Sequence, residues 1–383
     1  MKRIGVFTAT RAEYGLLAPV LEAMDPAPGL EPLLIVSGAH LSPRHGMTVR
    51  EIEADGRPIA ARVPLPMAGD DGVSAAQDMA AATAGVAQAA ANLRLDALMV
   101  LGDRTEALGA AAAAVPMALP ILHLEGGHRT AGAVDDAIRH AITKLAALHF
   151  TAHPDYGRRL RQMGEADERI FVVGSTAADR LGRLPALSLD ELNAGLGATL
   201  RPGFLLATLH PESLSALPPA DQAARFLTAL EGIDADVLFT LPNADSGGRA
   251  ITEAIQTFAG SRPVRAVVVP SLGADRYLQA ARLAGAVIGN SSSGVIEAPM
   301  VRTPSVDIGD RQAGRLNPPG VVHAAFETTA IREAIERALD PALRQSLANS
   351  PPPFGDGQAA QGIVEILGRT DLTGLARKPF VDR

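Results

Sequence analysis

The chain has 383 residues, 47% of them hydrophobic, with only 3% aromatics and no Trp. A formal net charge of -7 argues against a general nucleic-acid binder, while leaving room for a local basic pocket that takes phosphates. The absence of Cys excludes disulfides, thiolate zinc sites and a Cys nucleophile. The length predicts two or three domains with sizeable cores built mostly from Ala, Leu, Val and Ile. The first residues enter a strand pattern without a signal-peptide segment. No apolar run of ~18 residues lacks polar breaks, so no membrane span is expected and a cytoplasmic protein is the expectation.

In chain order, Arg3–Thr8 reads as a strand, followed by the turn Ala9-Thr10-Arg11. An amphipathic helix over Glu13–Met24 comes next, with Leu16, Leu17, Val20, Leu21 and Met24 at helical spacing. This first turn carries no G-x-G-x-x-G, so the dinucleotide fingerprint is missing where it would sit. Arg11 is its one strong anion donor. Pro32–Val36 is a second strand, ending in a polar turn with His40. A short helix at Val49–Ala54, a strand at Ala61–Pro66 and a long Ala-rich helix at Ser74–Asn92 come after it. Strands alternating with helices predict an α/β domain with a parallel sheet.

The stretch Ala97–Phe150 concentrates the chemistry. Two buried-strand patterns, Ala97–Leu101 and Ile121–Leu124, flank an Ala-rich helix. The first ends in Gly102-Asp103-Arg104, the second in Glu125-Gly126-Gly127-His128. Ligands of open parallel sheets bind at carboxyl strand ends, so Asp103, Glu125, Asp135 and Asp136 are expected to crowd one end of a sheet, where grouped carboxylates suit acid/base work. Each has a plainer reading. Asp103 could cap a helix, Glu125 could be a turn residue, and Asp135 and Asp136 could pair at i,i+4 with Arg139 and His140. Their grouping at adjacent strand ends favours the functional reading.

A strand at Ile170–Val173 ends in Gly174-Ser175-Thr176, and periodicity fades from about Arg183 to Pro202. This is the expected boundary between a first domain, 1–185, and a second, 200–360. Residues 361–383 are expected to form a helix and tail that pack back on the first domain. Strands at Phe204–Leu209, Asp236–Thr240, Val264–Val269, Ala284–Ile288 and Ser305–Ile308 alternate with helices in the second domain. Helices are expected at Thr328–Ala338 and Gln358–Leu367, and a cleft between the two domains. The loop Asn290–Gly294, small, polar and placed between strand and helix, is the best phosphate candidate. Glu297 could accept from ribose hydroxyls. Arg11, Arg104, Arg311 and His210 at other strand ends could together neutralise a diphosphate.

Eight segments in order carry a resemblance to a known family: TATRAEYGLLAPVL near the start, SGAHL at 37–41, GDRTEAL at 102–108, HLEGG with DDAIRHAITKLAALHF within 123–150, HPES at 210–213, PNAD at 242–245, NSSSGVIEAP at 290–299 and DIGDRQAGR at 307–315. From residue 3 to about 330 the chain resembles the hydrolysing UDP-N-acetylglucosamine 2-epimerases of the sialic- and legionaminic-acid pathways. That resemblance implies a glycosyltransferase-B-type fold, with two Rossmann-like domains facing across a nucleotide-sugar cleft. It implies no metal, no nicotinamide or other cofactor, and a homodimer or larger homo-oligomer. By the same resemblance the catalytic residues fall on Asp103, Glu125 and Asp135, with His40 in the family's SG-x-HL turn. The uridine-diphosphate contacts fall on Arg11, Arg104, His210, Asn243, Ser291, Ser292, Glu297 and Arg311. One departure is that His128 stands where the family usually has Glu.

The implied chemistry is elimination of the nucleotide diphosphate, giving a glycal, followed by addition of water with the opposite configuration at C-2. This needs a base, an acid for the returning proton and an oriented water, which carboxylates and a His can supply. Base and acid among the three carboxylates stay open. So do three other readings: a non-hydrolysing 2-epimerase, a retaining glycosyltransferase of the same fold, and a nucleotide-sugar-binding protein without catalysis. The sugar is open between UDP-N-acetylglucosamine and a 2,4-diacetamido-trideoxy analogue.

Overall fold

In the computed structural model the described residues are 1–69, 71–130, 134–212, 215–242, 247–262 and 265–382. They divide into two units, Met1–Arg183 with Phe354–Arg383, and Leu184–Pro353.

The first unit alternates strand and helix from its second residue. In order come β1 (Lys2–Thr8), α1 (Arg11–Met24), β2 (Leu30–Ser37), α2 (Val49–Ala54), β3 (Ile59–Val63), α3 (Gly72–Leu93), β4 (Ala97–Leu101), α4 (Thr105–Ala114), β5 (Ile121–Leu124), α5 (Val134–Leu145), β6 (Leu148–Thr151), α6 (Pro154–Gln162), β7 (Ile170–Val172) and α7 (Thr176–Arg183). The seven strands form a parallel sheet in the order β3-β2-β1-β4-β5-β6-β7. The chain works outward from β1 to β3, then returns beside β1 and works outward the other way. The loops after β1 and β4 therefore diverge at a topological switch point, where a ligand has room at the carboxyl edge.

Parallel sheets are covered on both faces, which is why β4, ALMVL, is buried at every residue. One face packs Ile4, Val6 and Met99 against Leu17 and Leu21 of α1. The other packs Phe7, Ile35, Leu98 and Val100 against the Ala-rich side of α4. Small residues let α3 and α4 approach closely: a Cβ on Gly109 would lie 2.6 Å from the carbonyl oxygen of Met79. The start of α1 is set by a capping box, the Thr10 hydroxyl accepting from the Glu13 N–H while Glu13 accepts from the Thr10 N–H.

The second unit continues with α8 (Leu189–Leu196), β8 (Leu205–Thr208), α9 (Pro219–Leu230), β9 (Val237–Thr240), α10 (Gly248–Gly260), β10 (Ala266–Val269), α11 (Gly273–Leu283), β11 (Ala286–Gly289), α12 (Glu297–Met300), β12 (Ser305–Ile308), β13 (Val321–Ala324), α13 (Thr328–Ala338) and α14 (Pro341–Ala348). Its parallel sheet runs β10-β9-β8-β11-β12-β13, with the switch point between β8 and β11. Gly289 is required at the end of β11, because its φ is +133° and a Cβ there would collide with the carbonyl oxygen of Thr208. Within the stretch of weak periodicity, α8 forms on the strength of its Ser188/Glu191 capping box.

The last helix, α15 (Ala359–Arg369), belongs to the first unit and packs on α1 and α7. Its opening N–H groups are satisfied by Asp179 of α7, which accepts from Ala359 at 3.0 Å and from Ala360 at 2.9 Å. Ile363 and Leu367 complete the core beside α1.

Candidate active site

At the carboxyl edge of the first sheet, β4 and β5 leave side by side. Leu101 pairs with Leu124, and the Gly102 N–H donates to the Leu124 carbonyl at 3.0 Å. Gly102 takes a φ of +72° and aims Asp103 back toward α5, where the Asp103 carboxylate meets the Arg139 guanidinium. Arg139 is only 5% exposed. It also donates to the His128 carbonyl at 3.2 Å, the Thr130 hydroxyl at 3.2 Å and the Asp136 carboxylate at 3.3 Å. A single side chain thus ties together the Asp103 loop, the turn after β5 and the first turn of α5.

Glu125 follows β5 directly, in the left-handed region at φ +61°, uncommon for a residue with a side chain. Its N–H donates to the Phe150 carbonyl at 2.9 Å. Its carboxylate accepts from the Ser175 hydroxyl at 2.7 Å and lies 3.0 Å from His128 Nε2. The His128 ring stacks on Tyr156, centroids 4.0 Å apart and 25° from parallel. Gly127 makes that approach possible: its φ is +88°, and a Cβ would lie 2.7 Å from the Tyr156 carbonyl oxygen. The imidazole that replaces the expected Glu is therefore a partner of Glu125, held between a carboxylate and a phenol ring.

Asp135 is exposed on the first turn of α5. Arg104 lies within its electrostatic reach; burial works against the Arg104 cation, but Glu106, Glu13 and Asp135 outweigh that and push its pKa up. The Arg104–Glu106 pair is 3.2 Å long. The pairing expected of both aspartates belongs to Asp136, which lies 3.6 Å from His140 as well as beside Arg139. Arg11 is exposed, 3.7 Å from Glu51.

His40 departs from a solvent-facing turn residue. It is fully buried, with Nε2 3.1 Å from the Thr8 hydroxyl, Nδ1 2.8 Å from the Thr48 hydroxyl, and its N–H on the Ala9 carbonyl at 3.3 Å. Burial pulls its pKa down to about 4, so the ring is neutral and both its nitrogens are engaged. In this state it braces the β1 turn between the Thr8 and Thr48 hydroxyls.

In the second unit the switch point is closed by Asn290, 0% exposed. Its side-chain oxygen accepts from the His210 N–H at 2.7 Å, and its amide donates to the His210 carbonyl at 2.9 Å. The Asn290 carbonyl accepts from Arg311 Nη1 at 3.1 Å and from Gln312 Nε2 at 2.9 Å. Four candidates, His210, Ser291, Ser292 and Arg311, are thus on loops organised around one amide. Ser291 and Ser292 are half-buried and Arg311 is exposed.

The Asn290–Gly294 loop does not lead into a substantial helix. A 3₁₀ turn over Ser292–Gly294 precedes the four residues of α12, too short for a strong dipole. The donors available there are hydroxyls, backbone N–H groups and the Arg311 guanidinium. Buried acceptor atoms of Glu297 (Oε2) and Gln312 (Oε1) have no hydrogen-bond partner among the described residues, which suits a ligand that brings hydroxyl or N–H donors. Burial pushes the Glu297 pKa up, and Arg315 moderates the rise. Asn243 lies outside the described residues.

Sequence reasoning placed Asn290 in the candidate phosphate loop without its hold on His210, and did not assign Arg139, Ser175, Tyr156 and Gln312 to these arrangements. Only Arg139 carried a local signal, its position in the helix after the Asp pair. Among the described residues there is no group of three His, Asp or Glu that could hold a metal, and no helix long and apolar enough to cross a membrane.

The profile of the family described as UDP-N-acetylglucosamine 2-epimerase matches residues 22–368. A Campylobacter jejuni protein named GDP/UDP-N,N'-diacetylbacillosamine 2-epimerase (hydrolyzing) is 34% identical over 383 residues, covering 100% of this chain and 99% of that protein. A Neisseria meningitidis protein named UDP-N-acetylglucosamine 2-epimerase is 30% identical over 388 residues, covering 100% and 99%. Among solved structures, UDP-GlcNAc 2-epimerase from Neisseria meningitidis bound to UDP-GlcNAc superposes with a TM-score of 0.77 at 18% identity, over 97% of this chain and 100% of that one. At that identity the likeness is one of fold, two parallel-sheet α/β domains of the glycosyltransferase-B type.

Proposed function

The chain belongs to the UDP-N-acetylglucosamine 2-epimerase family, and from that premise we propose that it is a hydrolysing 2-epimerase, releasing a free manno-configured sugar and UDP from a UDP-linked N-acetylhexosamine. The observation that carries this is the pairing of Asp103 and Glu125 at the ends of adjacent strands, each fixed by a partner from another element, Arg139 and Ser175. Full-length relatives named as hydrolysing support the subtype.

H-2 of a hexosamine is not acidic. Breaking the C-1–O bond to the diphosphate builds positive character at C-1 and acidifies C-2. A carboxylate then takes H-2, the electron pair forms the C-1–C-2 double bond, and UDP leaves with the electrons of the broken C–O bond. Water adds its oxygen to C-1, and a proton returns to C-2 from the opposite face. We assign this proton traffic to Asp103, Glu125 and Asp135. Tethering by Arg139 and by Ser175 and His128 orients the first two, and fixed orientation is a large part of what such a site contributes. His40 is assigned to positioning the β1 turn. Arg11, Arg104, His210, Ser291, Ser292 and Arg311 are assigned to the nucleotide diphosphate, with Glu297 taking ribose hydroxyls and Asn243 a further nucleotide contact.

The sugar is either N-acetylglucosamine or a 2,4-diacetamido-trideoxy analogue. Relatives from Campylobacter jejuni and Legionella pneumophila named for N,N'-diacetylbacillosamine favour the second. The free sugar would feed synthesis of a sialic- or legionaminic-type acid in the cytoplasm, by a homodimer or larger homo-oligomer. The test is mass spectrometry of products from a panel of nucleotide sugars. Free epimer with UDP supports the proposal. A UDP-linked epimer means the non-hydrolysing reaction, turnover only with an added acceptor means a glycosyltransferase, and no turnover with tight binding means a nucleotide-sugar-binding protein.

A further inference from the structure

Behind the catalytic edge of the first unit lies a buried charged cluster that the proposed reaction does not use. Glu165, just after α6, has a side chain only 1% exposed. It accepts from Lys144 Nζ at 2.6 Å, from Lys378 Nζ at 2.6 Å and from His149 Nε2 at 3.0 Å. Lys144 belongs to the last turn of α5 and His149 to β6, whereas Lys378 comes from the C-terminal tail. Lys378 also donates at 3.1 Å to the Thr143 carbonyl, which accepts from the Ala146 N–H at 3.2 Å as well, in the last turn of α5, where a cation is favoured.

The tail reaches this place along a defined track. Arg169 donates to the carbonyls of Leu375 at 2.9 Å and Arg377 at 3.0 Å. Val381 donates to the Gly164 carbonyl at 3.0 Å, and Lys144 stands 4.8 Å over the Phe380 ring. From Thr143 a buried line leads back to the catalytic loop. The Thr143 hydroxyl is 3.3 Å from His123 Nδ1, and His123 Nε2 donates to the Gly102 carbonyl at 2.8 Å. A carbonyl can only accept, so Nε2 carries the hydrogen and Nδ1 accepts from Thr143. Gly102 is bonded to Asp103, and Arg139 lies one turn before Thr143 on the same side of α5.

We propose that the C-terminal tail is a clamp on the catalytic centre, in which Lys378 and Glu165 are positioning residues that fix the end of α5 and thereby hold Arg139 and the Gly102-Asp103 turn in register. The tail is far from these groups in sequence, and none of its described residues bonds to the Asp103 or Glu125 carboxylate. Its influence passes through α5 and through His123. Because a displacement of about 1 Å at a reacting group can cost about a hundredfold in rate, a loosened α5 is read in turnover before it is read in binding.

The inference rests on the proposed reaction, and the experiment separates the two. Full-length Lys378→Met and Lys378→Arg are compared with the unmodified protein by steady-state UDP release, by calorimetric UDP binding and by hydrogen exchange of residues 134–146. The Met variant is expected to lose about ten- to a hundredfold in kcat, with KM and UDP affinity within about twofold and faster exchange along α5. The Arg variant, which keeps a cation, is expected to recover most of the loss. Unchanged kcat and unchanged exchange in the Met variant overturn the clamp. So does a parallel loss of UDP affinity, which means general loosening, and so does failure of Arg to rescue. If the Met variant does not fold, Phe380→Ala weakens only the seat of the tail under Lys144, and unaltered α5 exchange there overturns the inference equally. If the unmodified protein releases no UDP from any nucleotide sugar, the reaction is wrong, while the exchange measurement still decides the clamp.

Discussion

The side-chain amide of Asn290 brackets the peptide of His210, accepting from its N–H and donating to its carbonyl, so that one buried residue reproduces a two-point strand pairing across the β8/β11 switch point. Removing it takes one hydrogen-bond partner from each of two buried backbone groups, a loss of about 1–3 kcal/mol each. Asn290→Ala is therefore expected to cost about 2–5 kcal/mol of stability, read as a lower urea midpoint. Because the Asn290 carbonyl also receives Arg311, weaker UDP binding should accompany the loss. A midpoint within error of the unmodified protein would show that the bracket carries no load.

Asp103→Asn and Glu125→Gln keep the shape and an acceptor oxygen for Arg139 and Ser175 but remove the basic carboxylate. Turnover is expected to fall about 10²–10⁴-fold in each, the usual contribution of a general acid or base. UDP affinity should stay within a few-fold, since neither residue is assigned to the diphosphate. Normal steady-state turnover in both variants would remove them from the chemistry.

Arg311→Ala should weaken UDP binding by about 1.5–3 kcal/mol, the range for a hydrogen bond to a charged group. Arg311→Lys should restore part of this, because the planar fork that can hold both Asn290 and a phosphate is lost. Isothermal titration with UDP is the check, and equal affinities for all three proteins would move Arg311 out of the site.

Acid stability should report on Glu165. Burial alone would raise its pKa, but hydrogen bonds from His149, Lys144 and Lys378 outweigh burial and hold it at about 2, against an ordinary 4.5. Between those values the unfolded chain binds the proton and the folded one does not. The stabilisation, on the order of 3 kcal/mol, is thus complete above about pH 5 and disappears as the pH falls toward 2. Glu165→Gln should lower stability at pH 7 and flatten this acid limb in denaturant titrations. An unmodified acid limb in the variant would contradict the assignment.

The order of steps can be read from isotopes. In heavy water the released sugar should carry one deuterium at C-2, because the returning proton comes from solvent. In oxygen-18 water, label should enter at C-1 and none should enter UDP, because the bond that breaks is C-1–O. Label in UDP would mean attack at phosphorus, and a retained C-2 proton would mean plain hydrolysis.

Much of this architecture is legible before any coordinates. Buried apolar runs mark β4 and β5, and short polar turns at their ends mark Asp103 and Glu125, because a parallel sheet imposes both patterns locally. Strand order is not local. Nothing near Ile4 says that β1 lies between β2 and β4, since that depends on which faces the helices cover. Residues that act on the site from a distance are hidden for the same reason. Ser175 reads as a turn residue until β7 brings it to Glu125, and although the tail is expected to pack back on the first domain, nothing local to Lys378 says that it meets Glu165. His40 is opaque for another reason: a His in a polar turn looks exposed, and only the closure of Thr8 and Thr48 around it makes it a buried brace. The α14 helix escaped because its core-facing positions are too few to set a period, with Leu347 alone deeply buried.

The left-handed backbone of Glu125 has an evolutionary reading. A residue with a Cβ pays about 1–3 kcal/mol to sit at such a φ, a conformation that glycine adopts freely. Drift at this position is therefore pulled toward glycine by folding, against the Ser175 and His128 contacts and, on the proposed reaction, against the need for a carboxylate. A homologous chain that has Gly at this position would keep the turn after β5, the Gly-rich approach to Tyr156 and the nucleotide loops, while lacking the carboxylate. Position 125 is thus where a descendant that has exchanged catalysis for sugar-nucleotide sensing would first betray itself.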